Sequence, residues 1–119
     1  MRIYTKIYKH QNESCFYCNE KTEFDLMEKE HVFPKSKGGR GIKNKVLSCH
    51  FCNKLKSNLN ITEFKIKIDL LLRNKTEHKS KLKRIRVTLC KLENGQEIRK
   101  NFHKNAAYKT NNINDMPIK

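Results

Sequence analysis

Two short stretches decide the fold of this chain: Cys15-Phe16-Tyr17-Cys18 and Cys49-His50-Phe51-Cys52. Each pair of cysteines is separated by two residues, a gap that lets a tight turn point both sulfurs at one ion. Four thiolates complete a tetrahedral Zn²⁺ site and leave no position for water, so the ion is expected to be structural. A redox pair is typical of a single C-x-x-C within a βαβ pattern, which this sequence lacks. The sequence therefore predicts one structural zinc, held by Cys15, Cys18, Cys49 and Cys52.

The composition explains why such a chain needs a metal. It has 119 residues, of which 36% are apolar, and it contains no tryptophan. A chain of this length forms one ordinary domain, and its hydrophobic core must be thin. A metal cross-link is the usual source of the missing stability. His50 and Cys90 are alternative metal ligands, although a role in packing or at the surface is the simpler interpretation of both.

The charge balance points to a polyanionic partner. The chain carries 27 Lys and Arg against 12 Asp and Glu, a formal net charge of +15. Nucleic acid is the first candidate for such a partner. A membrane surface is disfavoured, because no apolar run approaches the roughly 18 residues of a spanning helix and no basic helix has a clean apolar face. Met1 is not followed by the apolar core of a signal peptide, which predicts a cytoplasmic protein.

A reactive centre is predicted between the two cysteine pairs, at Glu30-His31. Residues 13–30 contain six acidic and two basic residues, whereas residues 31–58 contain seven basic residues and no Asp or Glu. A strand is expected at about 28–33, then a loop marked by Pro34 and Gly38-Gly39. A second strand containing Val46 and Leu47 should lead into the second cysteine pair, with a helix at about 52–58.

In residues 15–58 the chain resembles the HNH nuclease family. The matching pattern is an acidic residue followed by His, then Pro, a Gly-Gly loop, Asn, C-x-x-C-N and Lys. These positions are Glu30, His31, Pro34, Gly38-Gly39, Asn44, Cys49 to Asn53 and Lys56. The resemblance implies an α+β fold with a zinc-stapled ββα-metal core. It also implies an endonuclease that uses a divalent cation to hydrolyse phosphodiester bonds.

The same resemblance implies individual roles. His31 is expected to be the general base, Asn44 the middle residue of the motif and Asn53 the last, which makes this an H-N-N variant. Glu30 and Asn53 are expected to hold one divalent cation, and hard oxygen ligands of this kind suit Mg²⁺ or Mn²⁺. Taken singly, each residue has a simpler explanation: His31 as a polar surface group, Asn44 as a cap of the Gly-Gly loop and Asn53 as a helix cap.

The chemistry favours the catalytic interpretation of the set as a whole. Hydrolysis of a phosphodiester needs a base to deprotonate water, a cation to neutralise charge and a rigid frame to align them. A neutral imidazole, with an ordinary pKa near ~6.5, is a suitable base at cellular pH. Asn44 is expected to bond across the loop and to fix the orientation of His31.

The remainder of the chain predicts supporting elements. A helix from Asn60 to about Arg73 is indicated by a capping pair, Asn60 and Glu63, and by apolar residues on one face. From Arg84 the sequence alternates in hydrophobicity up to Asn94-Gly95, a dipeptide typical of a hairpin turn. The predicted organisation is an HNH domain with lead-in and supporting helix over residues 1–73, a basic β-hairpin over 74–104 and a polar tail over 105–119.

Basic residues near these elements are the expected DNA contacts: Lys35, Lys37, Lys54, Lys56, Arg84 and Arg86. The hairpin is equally well interpreted as an edge protected by charge, or as a surface that docks a protein partner. The sequence leaves a second function open, a non-catalytic HNH-like zinc module that binds nucleic acid or a nucleoprotein complex, such as an inhibitor of a defence nuclease. A module that only binds has no need of His31 beside Glu30, so the sequence favours the enzyme.

Overall fold

The computed structural model describes residues 2–33, 44–74 and 77–95. Within these ranges the chain forms four helices and a two-stranded antiparallel ribbon, so the α+β class is confirmed. The helices are α1 (Arg2–His10), α2 (His50–Lys56), α3 (Ile61–Arg73) and α4 (Lys79–Glu93). The strands are β1 (Glu28–His31) and β2 (Lys45–Ser48), with a 3₁₀ turn at Phe24–Leu26 before β1. Within these ranges no helix is both long and apolar enough to cross a membrane.

The ribbon has the predicted position along the chain. Its register pairs Glu28 with Ser48 and His31 with Lys45. Successive side chains of a strand leave opposite faces, so Glu28 and Glu30 share one face of β1. The Gly-Gly loop between the strands lies outside the described residues.

Helix α1 is tied to the ribbon by one buried amide. The Gln11 Nε2 atom donates to the carbonyl oxygens of Ser14 and Leu47, at 2.9 and 2.8 Å. Its Oε1 atom accepts from the Leu47 amide nitrogen at 3.0 Å. Since Gln11 is 6% exposed, these bonds satisfy backbone groups that no water can reach. The side chain thus bonds to the edge of β2 as a further strand would.

Helix α3 begins as the sequence predicts. The Asn60 side chain accepts from the Glu63 amide nitrogen at 2.8 Å, and the Glu63 carboxylate accepts from the Asn60 amide nitrogen at 2.9 Å. This capping box satisfies two amides at the start of the helix. Beyond it Ile61, Phe64 and Ile68 enter the core, as expected from their spacing.

The predicted hairpin is wrong in its first strand, because residues 79–93 form helix α4. Its buried apolar residues are Leu82, Ile85, Leu89 and Leu92, a spacing of three and four that belongs to a helix. Val87, which completed the apparent alternation, is 55% exposed. The Asn94-Gly95 pair ends the helix and does not form a hairpin turn, since Asn94 is its C-cap and Gly95 has a φ of +88°. The second predicted strand lies outside the described residues.

Helix α4 packs on α3 and on the first cysteine pair, in one shared core. The Thr88 hydroxyl donates to the Tyr17 carbonyl oxygen at 2.8 Å. The Arg84 Nε atom donates to the Cys18 carbonyl oxygen at 2.7 Å. Tyr17 is fully buried and packs edge to face on Phe64 of α3, at 5.6 Å between ring centroids. The first cysteine turn is therefore held in place by contacts from both C-terminal helices.

Two matched substitutions separate the helix from the predicted hairpin. In a hairpin Val87 and Leu89 would share one face, whereas in α4 Leu89 is buried and Val87 is exposed. Leu89→Ala should lower the free energy of unfolding by about 2–5 kcal/mol. Val87→Ala should change it by no more than about 0.5 kcal/mol. Urea denaturation of the two variants measures both effects, and equal destabilisation would contradict the helix.

Candidate zinc centre and active site

The four predicted zinc ligands meet in one cluster. Their sulfur atoms all lie within 4.8 Å of one another, and Cys18 Sγ is 3.9 Å from Cys49 Sγ. A tetrahedral Zn²⁺ with bonds of about 2.3 Å has sulfur–sulfur edges of about 3.8 Å. All four cysteines are buried, as suits a closed structural site. The donor set and its spacing therefore fit zinc.

Local backbone geometry brings the sulfurs together. In the first pair the Asn19 amide donates to the Cys15 carbonyl oxygen at 2.9 Å, and Asn19 has a φ of 63°. Asparagine tolerates this left-handed conformation better than most residues, which allows a tight turn directly after Cys18. In the second pair Cys49 directly follows β2 and is the N-cap residue of α2, so that Cys52 lies in the first turn of the helix.

The crowding of the thiols is electrostatically costly without a cation. Hydrogen bonds among the thiols shift their pKa values in opposite directions: contacts with Cys15 raise the pKa of Cys18 and of Cys52 and lower that of Cys49. Four thiolates at this distance repel one another, and a bound Zn²⁺ offsets that repulsion. His50 and Cys90 do not belong to the cluster, in agreement with the simpler interpretation of both.

His31 is the last residue of β1 and is half-buried. Its carbonyl oxygen accepts from the Lys56 Nζ atom at 3.0 Å. Next to it, the Val32 amide donates to the Asn44 carbonyl oxygen at 3.0 Å. The Asn44 side chain forms two bonds with the Phe33 backbone, at 2.8 Å to the amide nitrogen and 2.7 Å to the carbonyl oxygen. The backbone at and after His31 is thus bonded from two sides.

Glu30 is buried and already paired. It is 7% exposed, and its Oε2 atom lies 2.6 Å from Lys56 Nζ and 3.3 Å from the Tyr17 hydroxyl, which donates to it. Burial raises the pKa of Glu30, although the Lys56 ammonium opposes this shift. Lys56 is 1% exposed. This placement does not fit the expected role of Lys56 on a phosphate path, because both the side chain and its charge are inside the protein.

Asn53, the second expected cation ligand, contacts Glu28 and not Glu30. Its Nδ2 atom donates to Glu28 Oε1 at 2.5 Å, and His50 Nδ1 lies 2.7 Å from Glu28 Oε2. Hydrogen bonds from Asn53 and then from His50 hold the pKa of Glu28 below its usual value. Neither Glu28 nor this contact of His50 is predicted from the sequence. The spacing could have indicated this contact. Glu28 is two residues before Glu30 on a strand, and His50 is three residues before Asn53 on a helix, so each pair shares one face of its element.

The expected DNA contacts fall into three groups. Lys54 is exposed on α2. Arg84 and Arg86 reach solvent on α4, but the Nε atom of Arg84 bonds to Cys18 and that of Arg86 lies 2.6 Å from Asp69 Oδ1. Lys35 and Lys37 lie outside the described residues. Helix α4 also exposes three further lysines: Lys79, Lys83 and Lys91.

The part of the chain that contains this site matches a known protein family. Residues 15–65 match the profile of the HNH endonuclease family. The search of curated proteins found no match. Among solved structures, the chain is similar to the Type II-C Cas9 enzyme from Actinomyces naeslundii, at 17% identity and a TM-score of 0.42. That similarity covers 98% of this chain and 14% of the other, and it carries no argument about function.

Zinc removal should unfold the domain. The freshly purified protein should contain one Zn²⁺ per chain by elemental analysis. Cys15→Ser and Cys49→Ser should each lose the ion and the cooperative thermal transition, because metal binding provides folding free energy in small domains of this kind. Cys90→Ser is the matched control, since Cys90 lies outside the cluster, and it should keep both. Protein that holds no zinc, or a Cys15→Ser variant that melts like wild type, would contradict the site.

Proposed function

We propose that this protein, whose residues 15–65 match the HNH endonuclease family, is a metal-dependent endonuclease that hydrolyses phosphodiester bonds of DNA. His31 is the general base in this proposal. The observation that carries it is the rigid support of the His31 backbone, described above, inside a zinc-stapled frame. A base that must deprotonate one water at one phosphate gains from such positioning, because misplacement by about 1 Å can cost about 10²-fold in rate.

The support of His31 extends into the core. Lys56 bonds both to the His31 carbonyl oxygen and to Glu30, and Glu30 accepts a hydrogen bond from Tyr17. Tyr17 lies between Cys15 and Cys18 in the first cysteine turn. A chain of polar contacts therefore joins that turn to the backbone of His31. Asn44 bonds to Phe33, two residues after His31, which agrees with its expected role of fixing the orientation of His31.

The proposed reaction requires one proton transfer to His31. The neutral imidazole accepts a proton from water, and the hydroxide attacks the phosphorus atom. The bond from phosphorus to the leaving ester oxygen breaks, and that oxygen takes up a proton from a solvent water molecule to leave as a hydroxyl. His31 then returns its proton to solvent, which restores the neutral base. When bound, Mg²⁺ or Mn²⁺ would neutralise the negative charge that develops on the phosphate and leaving oxygens.

The cation ligands implied by the family resemblance are Glu30 and Asn53. Asn53 is half-buried on α2 and could present its amide oxygen by a rotation of the side chain. Glu30 would have to leave Lys56, and an uncompensated buried ammonium is costly, at about 3–5 kcal/mol for a broken buried pair. This cost argues against Glu30 as a ligand in the conformation described.

The positive surface provides the proposed attraction for DNA. Lys54 on α2 and the exposed lysines of α4 are the described candidates, and Lys35 and Lys37 of the Gly-Gly loop remain candidates from the sequence. A protein partner for the C-terminal part and a cytoplasmic location also remain proposals. The conclusion is a compact DNA-cleaving domain whose binding is electrostatic and only weakly selective in sequence.

His31→Ala should abolish cleavage and leave the fold intact. Loss of a general base typically removes about 10²–10⁴ of the rate, because its contribution arises in the transition state. The measurement is conversion of supercoiled plasmid in Mg²⁺ or Mn²⁺, with thermal midpoint and zinc content recorded for both proteins. Lys54→Ala is the control that should weaken binding and spare the rate at saturating DNA.

Two outcomes would overturn the catalytic role. Equal cleavage by wild type and His31→Ala would remove His31 from the mechanism. If neither protein cleaves with any divalent metal while both bind DNA or a nucleoprotein complex, the non-catalytic zinc module becomes the better description.

DNA affinity should fall steeply with salt. Each phosphate neutralised by Lys or Arg releases condensed counterions, with a slope of about −0.9 in log affinity against log salt concentration. A fluorescence titration of a labelled duplex from low to moderate salt measures the number of contacts. Replacing the exposed Lys79, Lys83 and Lys91 together by Gln should flatten the slope if α4 faces DNA. Binding by wild type that is independent of salt would indicate a protein partner instead.

A further inference from the structure

The two faces of the ribbon carry opposite charges. Successive side chains of a strand leave opposite faces, so Glu28 and Glu30 lie on one face of β1 and Lys29 and His31 lie on the other. The register places Lys45 of β2 opposite His31, on the same face as His31. The face that carries Lys29, His31 and Lys45 is called the His31 face below. The proposed general base therefore lies on a basic face, and the acidic side chains of β1 point to the other side.

Lys45 is a close cross-strand neighbour of His31. The amide nitrogen and carbonyl oxygen of Leu47 both bond to the Gln11 side chain, so they point away from β1. Backbone groups along an antiparallel strand alternate between its two edges, so those of Lys45, two residues earlier, also point away from β1. A pair of this kind brings its Cα atoms to about 4.5 Å and its side chains close together. A phosphate beside the His31 imidazole is thus within reach of the Lys45 ammonium.

Lys29 extends the basic surface toward α1. It is exposed and lies two residues before His31, about 6–7 Å along the strand on the same face. Its Nζ atom lies 4.7 Å from the centroid of the Tyr4 ring, in the first turn of α1. An aromatic ring attracts a cation without neutralising its charge. Lys29 is therefore held in position with its positive charge available to an anion.

Neither lysine of the His31 face is neutralised within the part of the chain that the structure describes. No carboxylate there forms an ion pair with Lys29 or with Lys45. Other lysines of the protein do have such partners: Lys9 has Glu13, Lys56 has Glu30, Lys65 has Glu93 and Lys81 has Glu20. Two lysine charges without a partner, on either side of one imidazole, are complementary to consecutive phosphates of a nucleic acid strand.

From this arrangement we propose that the phosphate backbone of the cleaved DNA strand crosses the His31 face toward the first turn of α1. Lys45 binds the phosphate beside His31, and Lys29 binds a neighbouring phosphate. The role of this path in cleavage rests on the proposed nuclease function, whereas the binding itself does not. Helix α1 precedes the region that matches the family, and the path gives it a part in DNA binding through the contact of Tyr4 with Lys29.

The test is the salt dependence of DNA affinity, measured without added Mg²⁺ or Mn²⁺ on the zinc-loaded, full-length protein. A fluorescence titration of a labelled duplex gives the slope of log affinity against log salt concentration, about −0.9 for each phosphate contact. Lys45→Gln and Lys29→Gln should each reduce the magnitude of the slope by about 1. Lys65→Gln is the matched control, because Lys65 is half-buried and already paired with Glu93, and it should leave the slope unchanged.

A second substitution separates the charge of Lys45 from its packing. Lys45→Arg keeps the charge and should keep the wild-type slope, and thermal midpoint and zinc content verify that each variant is folded. An unchanged slope in either Lys45→Gln or Lys29→Gln would overturn the path. If Lys45→Gln does not fold, the exposed Lys29 decides the question alone, and equal slopes in Lys29→Gln and Lys65→Gln would reject the path.

A plasmid assay at saturating DNA separates this proposal from the nuclease function. Lys45→Gln should slow cleavage at least about 10-fold, because negative charge develops on the phosphate in the transition state. A wild-type rate in that variant would overturn the placement of Lys45 beside the cleaved phosphate. Reduced slopes in a protein that never cleaves would reject the nuclease and keep the path. Cleavage that depends on His31, with wild-type slopes in both glutamine variants, would reject the path and keep the nuclease.

Discussion

The four-cysteine cluster fixes the relative positions of the ribbon, α2 and the first cysteine turn. It joins a turn near residue 15 to the end of β2 and the start of α2, more than 30 residues later in the chain. The ribbon is only four residues long in each strand, and two short strands alone are marginally stable in water. With a metal at the cluster, the ribbon and α2 are held against the first turn at one point. The orientation of β1 relative to α2, and hence of every candidate site residue, follows from that connection.

A buried polar chain transmits this constraint to His31. Tyr17, Glu30 and Lys56 are all nearly inaccessible, and each bonds to the next, ending at the His31 carbonyl oxygen. Such an ion pair contributes little net stability, because desolvation opposes the attraction between the charges. Its effect is on the orientation of β1 relative to α2, because a different packing would leave a buried charge without its partner. Residues that a motif comparison assigns to metal and phosphate thus have a structural role here.

Helix α4 lies beyond the family match yet belongs to the same core. Its Arg84 and Thr88 bond to carbonyl oxygens of the first cysteine turn, and its apolar face packs with α3. A basic segment that looks like an appendage in the sequence is therefore part of the frame. Some of its charges bond within the protein, and the exposed lysines on its outer side supply the positive surface.

Features that depend on spacing along the chain are predictable from the amino-acid sequence alone. Two C-x-x-C pairs are sufficient to predict a metal cluster, and a capping pair with apolar residues three and four apart is sufficient to predict α3. The alternation of Ile85, Val87 and Leu89 was misleading, because over five residues a strand and a helix differ in only one apolar position. Burial of Leu82 and Leu92 against α3 settles that ambiguity, and those contacts join segments distant in sequence.

Which of two nearby carboxylates is buried depends on the packing of the folded chain and cannot be predicted from local sequence. Glu28 and Glu30 are both acidic, two residues apart and on the same face of one strand, so no local rule distinguishes them. Helix α2 crosses that face with His50 and Asn53 opposite Glu28 and with Lys56 opposite Glu30. One carboxylate therefore forms a buried ion pair and the other stays open to solvent. The physical reason is that burial depends on which element packs over a residue, and that is a property of the assembled chain.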